Sequence, residues 1–140
     1  MKLRQPNVER PSQLAASVWL VLRAWIELLR VDMQLARRGF PFVYEKVRNS
    51  PVRKIRFNGR KEADICRAVD LACVFYFKQV RCLQCSAVAT TLLRKEGHAA
   101  EMVIGAQPCP FRAHAWVEVA GRVVNDKSYI STMYTVLERC

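Results

Sequence analysis

The chain has 140 residues, of which 51% are hydrophobic, with 23 Lys/Arg against 12 Asp/Glu and a formal net charge of +11. That length and apolar content suit one packed domain and exclude a disordered chain. The basic excess is lopsided: residues 1–60 carry 13 basic and 4 acidic side chains, residues 61–140 carry 10 and 8.

Two regions are therefore expected, a basic helical part over 1–60 and a chemically active part over 61–140. The start, Met1-Lys2-Leu3-Arg4-Gln5-Pro6-Asn7, lacks the apolar stretch of a secretion signal. The best membrane-span candidate, Leu14 to Leu29, is interrupted by Arg23 and Glu27. A cytoplasmic location is expected, and with it six free thiols rather than a disulfide framework.

In chain order, Ser12 can cap a helix running to about Arg38. Its apolar residues Leu14, Val18, Val21, Leu22, Trp25, Leu28 and Leu29 recur at steps of three and four. That stripe reads first as a core-packing face, and second as a surface for a membrane or a partner. Gly39 and Pro41 should stop the helix, with a short one following over Phe42 to Val47. A basic connector, residues 48–60, follows. Its lone Phe57 among arginines is weak ground for nucleic-acid binding, and no nucleic-acid motif accompanies it. The basic part could instead meet an acidic partner, a peptide or an anionic membrane surface.

A second helix is expected from Lys61 to Phe77, with Ile65, Val69, Ala72, Cys73, Tyr76 and Phe77 inward. A third should run from Cys82 to Gly97. Ala100 to Ala106 reads as a strand, residues 107–110 as a proline-bounded loop, and 112–119 with 122–126 as a hairpin. Residues 127–140 carry no clear pattern.

Cys82, His114 and Asp126 occur in the order and context of a thiol nucleophile, its base and the group that orients the base. A thiol attacks as its thiolate, and a helix N-terminus stabilises that form through unpaired N–H groups. Cys82 stands where the third helix should begin, and those N–H groups could also hold an oxyanion. Gln79 is a further candidate donor, and Cys85 and Trp116 are expected to line the site. Strand alternation puts Arg112, His114, Trp116 and Glu118 on one face, which implies a task for that face or exposure to solvent. A three-residue bulged loop would pair His114 with Asp126, whereas a two-residue loop would send Asp126 to the opposite face. His98, just past Gly97, reads as a helix-end histidine.

Cys82-Leu83-Gln84-Cys85 also has metal-ligand and redox spacing. Zinc would require a second pair of ligands, and a thioredoxin-like site would require a preceding strand. Spacing alone leaves Cys82 and Cys85 both open as nucleophile, and position favours Cys82. The zinc or redox reading stays open beside the catalytic one.

The strings Cys82-Leu83-x-x-Ser86-Ala87, Leu92-Leu93-Arg94-Lys95-Glu96-Gly97, Val103-Ile104-Gly105, Phe111 to Glu118 and Gly121 to Asp126 resemble the transglutaminase-like leader peptidases of lasso peptide biosynthesis. The match is close over about residues 80–127. It departs at Cys85 and His98, where that family carries arginine and proline. The resemblance implies an α+β papain-like fold: a cysteine-bearing helix on a small antiparallel sheet, with N-terminal helices. It implies a cofactor-free stand-alone peptidase in which Cys82, His114 and Asp126 remove the leader of a ribosomal precursor peptide. The implied partners are that precursor, a separate leader-binding protein and an ATP-dependent cyclase. The competing expectation is a non-catalytic scaffold for the same partners.

Overall fold

The computed structural model describes residues 11–54 and 60–140, with side chains from residue 15 onward. Its elements are α1 (Pro11–Arg48), α2 (Glu62–Val74), α3 (Cys82–Lys95), β1 (Ala100–Pro108), β2 (Phe111–Val119), β3 (Arg122–Val123), α4 (Ile130–Met133) and β4 (Thr135–Arg139). The strands form one antiparallel sheet in the order β3-β2-β1-β4. The architecture is α+β, as expected. Arg56 and Phe57 of the basic connector lie outside the described residues.

Ser12 lies within α1 rather than at its cap, the chain being helical from the first described residue, Pro11. The helix breaks only at Gly39 (φ 75°, ψ −178°), a conformation open to a residue without Cβ, and Pro41 follows at once. Helix then resumes as far as Arg48.

The face of α1 that packs inward overlaps the expected stripe only in part: Leu28 is buried and Val21, Trp25 and Leu29 pack against the core. Leu20, Ala24, Leu28 and Val31 are buried, while Val18 and Leu22 are 67% and 47% exposed. The helix is apolar around much of its circumference, so periodicity alone does not select a side. Contact with the other helices selects the side where Ala24, fully buried, permits close approach. Ion pairs then hold α1 to α3: Arg23 to Glu96 at 2.9 Å and Lys95 to the buried Glu27 at 2.7 Å.

Helix α2 ends at Val74, three residues short of expectation. Tyr76 remains buried beyond the helix end, its ring 5.7 Å from Trp25, whereas Phe77 is exposed. One apolar core joins Leu20, Leu28, Val43 and Val47 of α1 to Ile65 and Val69 of α2, Val88 and Leu92 of α3, Met102 of β1 and Val117 of β2. The connector ending at residue 60 thus links elements that share this core. Gln107 and Pro108, expected in a loop, end β1, with Pro108 opposite Phe111. The unpatterned residues 127–140 supply α4 and the edge strand β4. Among the described residues, no helix is long and apolar enough to cross a membrane.

Arg94, in the last turn of α3, ties these parts together. Its buried guanidinium donates to the carbonyls of Ala100 (2.7 Å), Val47 and Ser50, and to the Ser50 hydroxyl (2.9 Å). One side chain therefore joins the ends of α1 and α3 to the start of β1. Arg94→Met would keep much of the apolar stem but orphan several buried acceptors. Urea denaturation should show a loss of roughly 3 kcal/mol, since each abandoned buried partner costs about 1–3 kcal/mol.

Candidate active site

Helix α3 starts at Cys82, with Arg81 as an extended residue before it. The Arg81 N–H donates to Gln84 Oε1 at 2.9 Å, and Gln84 Nε2 donates to Asp32 Oδ1 of α1 at 2.8 Å. Lys78 closes on the same carboxylate at 2.7 Å. The helix start is thereby moored to α1, and its first N–H groups have no intrahelical acceptors.

Ser86, one turn further on, fixes this helix to the sheet. Its fully buried hydroxyl donates to the Ala115 carbonyl at 3.0 Å and accepts from Asn125 Nδ2 at 3.2 Å. Asn125 Oδ1 in turn accepts the Val117 N–H at 2.7 Å. Three segments, α3, β2 and the chain after β3, thus meet around two small polar side chains beside His114.

The hairpin register differs from the bulged one expected. Val119 pairs with Arg122 and Glu118 with Val123, so the loop is the two residues Ala120-Gly121. Both have positive φ, 51° and 73°, the signature of the turn whose twist matches paired strands. Asp126 nevertheless reaches His114. The ladder ends near Val124, whose N–H donates to the Val117 carbonyl, and the Asn125 side chain then takes the Val117 N–H. Beyond that point the chain has left the sheet, and alternation no longer dictates where Asp126 points. Its Oδ2 lies 2.6 Å from His114 Nε2, and its Oδ1 accepts the Lys127 N–H at 2.7 Å. A carboxylate only accepts, so Nε2 is the donor, and Nδ1 takes no part in this bond.

Trp116 and Glu118 do not face solvent. Both are buried under the C-terminal segment, Trp116 completely. Trp116 Nε1 donates to Glu118 Oε1 at 2.8 Å, and Arg139 of β4 donates to Glu118 Oε2 at 2.7 Å. The His114 ring lies 6.2 Å from Trp116, nearly parallel, and 5.4 Å from Tyr134. Gly105, opposite His114 on β1, makes the room: a Cβ there would stand 2.8 Å from Trp116 ring carbons and 2.9 Å from Tyr134 Cβ.

Cys82, Cys85, His114 and Asp126 line one cleft of about 140 Å³, together with Cys66, Asp70, Ser86 and Asn125. Gln79 lies elsewhere, in a separate depression with Asp32, Lys78 and Arg81. Trp116 does not line the cleft and reaches it only through its contact with His114. Asp70 and the bridging role of Asn125 are additions that sequence reasoning missed. Asn125 had a signal, standing immediately before the acid. Asp70, on the outward side of a helical stripe, had none.

The cleft thiols differ electrostatically. Burial, with Asp70 and Glu62 nearby, pushes the Cys66 thiol up to about 11. Cys85 is raised as well, first by its hydrogen bond to Cys73 and then by burial. Neither suits a thiolate nucleophile near neutrality. His98 lies outside the cleft, past the end of α3, and binds the Arg60 carbonyl at 2.7 Å.

A cysteine at a helix start and a strand-borne histidine with an acid partner thus share one cleft. The chain belongs to the transglutaminase-like superfamily, whose family model matches residues 25–139. Within that class it is similar to the microcin J25-processing protein McjB of Escherichia coli, at 42% identity over 45 residues, which are 32% of this chain and 22% of that relative. The matched stretch spans about a fifth of the relative's length. No solved structure matches.

Gly105→Ala should destabilise the fold by about 1–3 kcal/mol, the usual cost of overpacking, in urea unfolding followed by tryptophan fluorescence. An unchanged midpoint would show that Trp116 and Tyr134 move aside freely. Glu118 provides a pH test. Burial alone would raise its carboxyl, but Arg139 and the Trp116 indole outweigh burial and hold it below its ordinary value. Its contribution is therefore complete above the unfolded value of about 4.3 and is lost as pH falls through the lower folded one. Stability measured from pH 6 downward should fall less steeply in Glu118→Gln than in the parent.

Proposed function

We propose that this chain is a cysteine peptidase that removes the leader from a ribosomally made lasso precursor peptide. The observation that carries the reading is the convergence of Cys82, at the N-terminus of α3, with the His114–Asp126 pair in one cleft. The similarity to a protein named for processing microcin J25 supports the substrate class. In this reading the nucleophile stands on a helix and the base on a strand, the division expected of a papain-like peptidase.

The Cys82 thiolate attacks the carbonyl carbon of the scissile bond, and the resulting oxyanion is met by N–H groups of the first turn of α3. His114, protonated at Nδ1, gives that proton to the leaving amine, and a thioester to Cys82 remains. Nδ1 then takes a proton from water, which attacks the thioester, releases the acid and frees the thiol. Asp126 holds Nε2–H throughout and so fixes the tautomer. Cys85 is not the nucleophile in this reading, being raised by Cys73 and burial and lying a turn further from the helix start. A separate leader-binding protein would present the leader, and an ATP-dependent cyclase would take the freed core peptide.

Incubation with a precursor peptide and its leader-binding protein, followed by mass spectrometry, tests this. Cleavage at the leader–core junction is expected. It should vanish in Cys82→Ala, fall by on the order of 10²–10⁴-fold in Asp126→Ala, and persist in Cys85→Ala. A precursor that is bound but left intact by the parent protein would establish the scaffold reading instead.

A further inference from the structure

Cys73 stands in the last turn of α2 and Cys85 in the first turns of α3, each partly buried. Their sulfurs are 2.7 Å apart. A covalent disulfide is about 2.05 Å, so the two thiols are within a fraction of an ångström of bonding distance. The separation also places the sulfur nearest to Cys85 on another helix, not on Cys82 of its own. The catalytic steps derived above use neither residue.

The environment makes the pair unequal. The hydrogen bond between the two sulfurs holds the Cys73 thiol below its ordinary value, against the opposing effects of burial and Asp70. The same hydrogen bond and burial raise Cys85. Cys73 is therefore the member that ionises first, and it is the attacking thiol in any exchange reaction.

We propose that Cys73 and Cys85 form a reversible dithiol–disulfide site, oxidised by low-molecular-weight disulfides, that fastens the end of α2 to the start of the nucleophile-bearing helix. The Cys73 thiolate attacks one sulfur of the small disulfide, forming a mixed disulfide and expelling one small thiolate. Cys85, losing its proton to solvent, attacks the Cys73 sulfur, and the second small thiolate leaves. Two protein thiols are oxidised and one small disulfide is reduced to two thiols. Because Cys85 lines the cleft with Cys82, its capture by Cys73 removes the neighbour with which Cys82 could form a disulfide. The proposal stands whether or not the cleft hydrolyses peptides.

The test treats the reduced full-length protein with oxidised glutathione, alkylates it and maps the tryptic peptides by mass spectrometry. Residues 68–78 should be joined to residues 82–94, two hydrogens lighter than the separate peptides, and fragment ions should place the bond at Cys85 rather than Cys82. The same link should form in Cys82→Ala, disappear on treatment with dithiothreitol, and be absent in Cys73→Ser. A Cys82–Cys85 bond within one peptide would overturn the proposal, as would persistent glutathione adducts or free alkylation of Cys73 and Cys85. Fragment ions from the parent protein decide the matter even if a variant fails to fold. The readout is a covalent bond and not peptide cleavage, so failure here leaves the peptidase reading to its own test.

Discussion

The hydroxyl of Ser86 is the junction on which the cleft depends. It is fully buried, it donates to the backbone next to His114, and it accepts from Asn125. A buried hydroxyl without partners would cost the fold, so α3 and β2 must meet where both bonds can be made. Cys82 is one turn before Ser86 on a rigid helix, and His114 is one residue before Ala115 on a paired strand. Their approach thus follows from a hydrogen bond that neither residue makes. Asn125 extends the same logic to Asp126, whose place is set by the side chain immediately preceding it.

Around this junction the fold is held by polar groups that cross between elements. Arg94 closes the far end of α3 on the ends of α1 and β1, and Gln84 moors its near end to Asp32. On the opposite side of the sheet, Glu118 receives both the Trp116 indole and Arg139 of β4. The apolar core supplies the main driving force, but it is non-directional. These directional contacts set the angle and height at which the helix lies across the strands.

The sequence was most legible where a local pattern carried the structure. The Gly39 break, the start of α3 at Cys82 and the strand around His114 could all be read from residue types and spacing, whereas the His114–Asp126 contact was expected through a bulged loop that the hairpin does not have. The inward face of α1 was legible only in part: Leu28, Val21, Trp25 and Leu29 pack as their spacing implies, but Val18, Leu20, Leu22 and Ala24 offer apolar residues on several sides and only the packing partners choose among them. The hairpin register failed for a different reason. Charge pairing suggested a bulge, but Asn125 replaces a backbone ladder bond with a side-chain one, and the period-two rule ends there. Residues 127–140 were opaque because β4 is a short, exposed edge strand with neither alternation nor a buried stripe. The nearness of Cys73 to Cys85 depends on how two helices pack, which no spacing within either helix encodes.

The C-terminal segment has a consequence for the imidazole itself. Tyr134 and Trp116 flank the His114 ring, while Asp126 holds one of its nitrogens. An unrestrained histidine side chain samples several χ1 and χ2 rotamers, and holding it in one of them costs conformational entropy. Here that loss of rotational freedom occurs once, when the chain folds. The last turn and strand of the chain, though remote from Cys82 in sequence, thus contribute entropy rather than chemistry to the cleft.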